Sequence, residues 1–125
     1  MHEREIFLNE WQGGDGDALL RAFGIDRAEL EGVELLLASY SRSDWGGEAF
    51  VLLCRDRHLY EVNAYHDSQG GMQGQWEPEE TLVEALRHRL EKGRLGRDET
   101  GASLFADELD FLLMELEAEA SGRDF

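Results

Sequence analysis

The chain has 125 residues, a formal net charge of −16 and one cysteine, Cys54. That length fits one ordinary domain, and a lone thiol excludes an intrachain disulfide or a cysteine-based zinc framework. The charge argues against direct contact with nucleic acid phosphates or an anionic membrane, and no apolar run approaches the roughly 20 residues that span a bilayer.

The first residues, MHEREIF, carry charges of both signs and no apolar signal stretch. With a single unpaired cysteine, this predicts a soluble cytoplasmic protein. Ile6, Phe7 and Trp11 are spaced for a short amphipathic turn. GDGDALLRAFG then offers Asp15 or Asp17 as a helix cap, puts Leu19, Leu20 and Phe23 on one face, and ends at Gly24. IDRAELEG repeats the plan, with Asp26 and Glu29 as a capping box and Gly32 as the stop.

VELLLASYS, EAFVLLCR and HLYEVNAY read as three strands separated by short polar connections. The second and third are close enough to form a hairpin, although its turn at Arg55-Asp56-Arg57 lacks the glycine that tight turns prefer. Alternation puts Phe50, Leu52 and Cys54 on one face and Ala49, Val51 and Leu53 on the other. Both faces are apolar, so this strand is expected at the centre of the sheet, covered on both sides.

Gly70, Gly71 and Gly74 mark a flexible connection. EPEETLVEALRHRLEKG follows as a helix, with Pro78 at its start, an apolar stripe of Leu82, Val83, Leu86 and Leu90, and Gly93 at its end. A last helix over TGASLFADELDFLLMELEAEA carries a stripe of Phe105, Leu109, Leu112, Leu113 and Leu116. The tail SGRDF is expected to be loose. The whole predicts a single α+β domain over residues 1–125, with residues 120–125 as a flexible tail. Its core is a three-stranded antiparallel β-meander packed by short N-terminal helices and two C-terminal helices.

Chemistry-bearing motifs are sparse. No phosphate loop, nucleophile elbow or dinucleotide fingerprint occurs. Cys54 and His58 could make a nucleophilic pair, but a core-facing thiol is inert. No cofactor and no catalytic residue is assigned, and an enzyme is the less favoured class. Of the four histidines, His2 and His88 read as solvated. His66 with Asp67, joined by His58, is the alternative: a metal site or the centre of a small enzyme.

Two features point to a partner instead. Trp45 sits at the tip of SRSDWGG, and tryptophan is enriched at binding hot spots; Trp76 is better placed to staple the following helix to the sheet. Half of the net charge lies in residues 98–125, which hold nine acidic residues and one basic. Acids near the end of the last helix oppose its dipole, so they do not serve helix formation. Trp45, Asp107, Asp110, Glu115 and Glu117 are the candidate partner-binding residues, and a basic protein surface is the candidate partner.

Over residues 38–95, the segments AFVL, LYEV and QWEPEET together resemble a group of small cytoplasmic proteins encoded by phages and prophages. Where that group carries S-H-C-S-C, this chain has Tyr65-His66-Asp67-Ser68-Gln69, so the histidine matches and the cysteines do not. No thiol or metal role is carried over. The resemblance implies a phage or mobile-element protein, for which acidity suits occupation of a nucleic-acid-binding surface on a host defence complex, in the manner of an anti-CRISPR inhibitor or nucleic-acid mimic. A homodimeric accessory module, paired through an open sheet edge, is a further alternative; the expected state is monomer or homodimer.

Overall fold

The computed structural model describes residues 6–122, with side chains described through Glu119. His2 and residues 123–125 of the tail lie outside the described residues. The chain forms two compact units, residues 1–80 and 81–125.

A mixed sheet has five strands in the order β1-β2-β3-β4-β5: Ile6–Asn9, Glu34–Ser43, Gly46–Arg55, His58–Asp67 and Glu79–Thr81, the first four within the first unit. The fold is α+β, but the three-stranded meander is corrected at both edges. β2, β3 and β4 form it as expected, with antiparallel registers such as Val51 opposite Val62. β1 pairs in parallel with β2, where Ile6 and Phe7 were expected, with Trp11, in a short amphipathic turn. Four residues with no polar alternation leave no strand signature, and pairing with β2 decides their conformation. The connection between these parallel strands runs through α1 (Gly16–Phe23), giving a β-α-β unit. β5 occupies Glu79–Thr81, which were expected in the first turn of a helix. A preceding proline and two glutamates suit a short edge strand equally well.

α1 begins as its sequence dictates. The Asp15 carboxylate accepts the Asp17 N–H at 3.0 Å, and Gly24 closes the helix at φ 66°. Residues Arg27–Leu30 form a turn of 3₁₀ helix rather than an α-helix, and Asp26 makes no side-chain cap bond there. Leu19 and Phe23 of α1 join Phe7, Trp11, Leu35, Ala38, Ala49, Val51, Leu53, Val62, Ala64 and Met72 in one core on one face of the sheet. β3 is central and buried along both faces, since Phe50 and Leu52 are buried on the side opposite Val51. Cys54, at its end, is half-buried. A bulge between Leu35 and Leu37 puts an extra residue, the buried Leu36, into β2.

The hairpin turn between β3 and β4 is made without glycine. Asp56 and Arg57 both take positive φ, 52° and 70°, the conformation of a primed turn.

The second unit pairs α2 (Val83–Glu91) with α3 (Ala106–Gly122). α2 starts later than expected. Leu82 is its N-cap residue and is exposed, so it does not belong to the apolar stripe, while Leu86 and Leu90 are buried. In α3, Leu109, Leu112 and Leu113 are buried as predicted. α3 runs to Gly122, so the start of the expected tail is helical. Gly96 fixes the beginning of α3. Its carbonyl oxygen accepts the N–H groups of Leu104 (2.7 Å), Phe105 (3.0 Å) and Ala106 (3.0 Å). A side chain at Gly96 would sit 2.8 Å from the Ala106 backbone.

Candidate partner interface

The loop after β4 is a structural connection. His66 uses both ring nitrogens inside the protein: Nδ1 donates to the Asp67 carbonyl oxygen at 2.6 Å, and Nε2 accepts the Tyr40 hydroxyl, also at 2.6 Å. The Asp67 carboxylate accepts the Gln69 N–H at 3.0 Å. Met72 is buried in the core and Trp76 packs edge-on against Phe23 at 5.2 Å. The tryptophan thus anchors the loop onto α1.

His58 does not join this group. It stands at the first position of β4, whereas His66 and Asp67 stand at its far end. A ten-residue strand separates its ends by roughly 30 Å. His58 Nδ1 instead meets the Glu80 carboxylate at 2.8 Å. The three residues considered for a metal are therefore not brought together, and among the described residues no three histidine, cysteine or acidic side chains converge in metal-binding geometry.

Trp45 lies at the tip of the β2–β3 hairpin and is 85% exposed. Its N–H is held by the Ser43 hydroxyl at 3.2 Å. The base of the tip is tightly constrained. Gly46 and Gly47 pair with Asp67 and His66. A Cβ on Gly46 would fall 2.0 Å from the His66 carbonyl oxygen, and one on Gly47 would fall 2.7 Å from His66 Nε2. Behind them, aromatic rings continue inward from His66 to Tyr40 (5.7 Å), Trp11 (5.4 Å) and Phe23 (6.3 Å). The glycines allow this close packing, and the packing holds the base from which Trp45 projects. Tyr65, nearby on β4, is also 77% exposed.

The four candidate carboxylates all lie on α3, in the second unit, but they do not share one situation. Arg87 of α2, 20% exposed, forms a two-bond pair with Glu117 (3.0 and 3.2 Å) and a further ion pair with Asp110. The hydrogen bonds it donates to Glu117 and then to Asp110 hold the guanidinium pKa above its ordinary value. Asp110 and Glu117 therefore serve an internal clamp. Asp107 and Glu115 are exposed on the helix.

Sequence reading missed what stands between them. Phe111 is 66% exposed and Met114 56%. With Ala118, also exposed, they follow one another at spacings of three and four along the outward face of α3. This pattern is present in the chain, but a stripe counted inward from Leu109, Leu112, Leu113 and Leu116 hides a second one on the opposite side. Large exposed apolar side chains in a row, rimmed by charge, are the usual mark of an interaction surface.

Against family models, curated proteins and solved structures, the chain matches none. Among the described residues, no helix is long and apolar enough to cross a membrane.

Proposed function

We propose that this chain is an acidic binding protein that docks on a basic surface of a partner protein, through the outward face of α3 and with Trp45 as a separate anchor. The observation that carries this is the exposure of Phe111 and Met114 between carboxylates, in the segment that bears half of the net charge. Apolar anchors supply affinity in such a contact, while the field of the acids selects a cationic surface and speeds encounter. The AFVL, LYEV and QWEPEET segments support a phage or mobile-element origin. In that setting the partner is a host defence nucleoprotein whose Arg/Lys groove normally tracks phosphates, and the chain acts in the host cytoplasm as its inhibitor.

The test is capture from nuclease-treated host lysate across a salt series, read by mass spectrometry. A single nucleic-acid-binding complex is expected, retained at low salt and released as salt rises. The decisive variant combines Asp107→Lys with Glu115→Lys, which leaves the Arg87 clamp in place. Undiminished capture by this variant rejects the reading.

A further inference from the structure

We infer that the element α3 recognises is a cationic amphipathic helix, laid along its outward face. The inference rests on the reading of that face as the partner surface and names what occupies it.

The argument starts from the seven-residue register of α3. With Phe111 and Ala118 at position a, Met114 and Asp107 fall at d. Glu108 and Glu115 then fall at e, and Asp110 and Glu117 at g. The remaining positions b, c and f are Leu112, Leu113, Leu109 and Leu116, the first three buried and the last half-buried. The helix therefore has two apolar seams. One is consumed by the fold, and the other, with two large exposed side chains, has the a/d spacing of a helix-pairing surface.

The flanks decide the occupant. Every e and g position from 108 to 117 is acidic; the g pair, Asp110 and Glu117, is bonded to Arg87, so the e side, Glu108 and Glu115, carries the charge of the face together with Asp107. A second copy of this chain would set acids against acids, which disfavours self-pairing. A helix with apolar residues at a and d and Lys or Arg opposite Glu108 and Glu115 meets the seam and its acidic flank together. Charge attraction alone leaves Phe111 and Met114 unaccounted for, whereas a helix within the cationic surface gives both an apolar contact. From Asp107 to Ala118 the contact is about 17 Å long, about three helical turns, which suits a short recognition helix rather than an extended coiled coil.

The experiment uses the full chain and two synthetic peptides of identical composition. One carries Leu at a and d with Lys and Arg at e and g; the other has the same residues with the pattern scrambled. Binding is measured by fluorescence anisotropy, and peptide helicity by circular dichroism. The patterned peptide is expected to bind at least about tenfold more tightly than the scrambled one and to gain helix on binding. Phe111→Ser with Met114→Ser should remove that preference, with the thermal melt of the variant confirming its fold. Equal binding of the two peptides overturns the inference and leaves the charge-based reading of the face standing. Binding of neither also overturns it, while lysate capture decides the broader reading independently. A dimer of the chain that dissociates on Phe111→Ser would overturn the choice of a foreign partner.

Discussion

Arg87 shows how one side chain assigns roles to others. Its guanidinium closes on Asp110 and Glu117 in a half-buried setting, where two-bond geometry makes an ion pair stronger than its exposed counterparts. Arg87→Gln should destabilise the fold by about 1–3 kcal/mol, because it removes the charge-assisted hydrogen bonds that join α2 to two half-exposed carboxylates of α3. Chemical denaturation measures this, and an unchanged midpoint would mean the pair is dispensable. Asp98 makes a different prediction. Its carboxylate accepts from the Thr100 hydroxyl (2.6 Å) and from the Thr100 and Ala102 N–H groups, and the Thr100 hydroxyl chiefly lowers its pKa below the ordinary 3.8. A depressed carboxylate stabilises the folded state above its unfolded-state pKa, and that contribution disappears as pH falls through the folded value. Thr100→Val should move the Asp98 titration back toward the ordinary value, as read by NMR. No movement would show that the hydroxyl is not the cause.

Elements obey their own logic, most plainly at the sheet edges and turns. Beyond the short β5, the exposed side of β4 is occupied at Tyr65 by the Gln75 carboxamide, which accepts its N–H at 3.1 Å and donates to its carbonyl at 2.9 Å. A side chain here takes the place of a neighbouring strand, and so blunts an edge that would otherwise invite pairing with another chain. Gln75→Ala should cost about 1 kcal/mol and increase self-association, seen by light scattering; a variant as stable and monodisperse as the parent would refute this role. The β3–β4 turn offers the opposite change. Asp56→Asn with Arg57→Gly supplies the residues that positive φ prefers and should stabilise by about 1 kcal/mol, as a shift in denaturant midpoint without a change in slope. What the sequence reveals follows the same divide. β2, β3 and β4 are long enough for composition and alternation to identify them, and α1 announces itself through Asp15 and Gly24. β1 and β5 have three or four residues, and their conformation is decided by partners elsewhere in the chain. Arg87 finds its partners, Asp110 and Glu117, 23 and 30 residues away, where no local spacing reveals them. Phe111 and Met114 become meaningful only once the buried side of α3 is known.

For the whole molecule, a charge of −16 acts on the free chain and on its complexes in opposite senses. Self-repulsion destabilises the compact state, and added salt screens it. Salt should therefore raise the thermal midpoint of the free protein while weakening its attachment to a cationic partner. If the midpoint fell with salt over the same range, internal ion pairs such as the Arg87 clamp would outweigh the net repulsion.

The Gly96 carbonyl, which gathers three N–H groups at the start of α3, carries a kinetic consequence. Amides at the N-terminal boundary of a helix ordinarily face water and exchange their protons freely, because they have no acceptor within the helix. Here the amides of Leu104, Phe105 and Ala106 all point at one oxygen whose position the close approach of Gly96 fixes. In deuterium they should exchange as slowly as amides deeper in α3, opening only when the 97–103 loop and the helix separate together. The beginning of α3 would then not fray, and the register of its outward seam would persist between encounters with a partner.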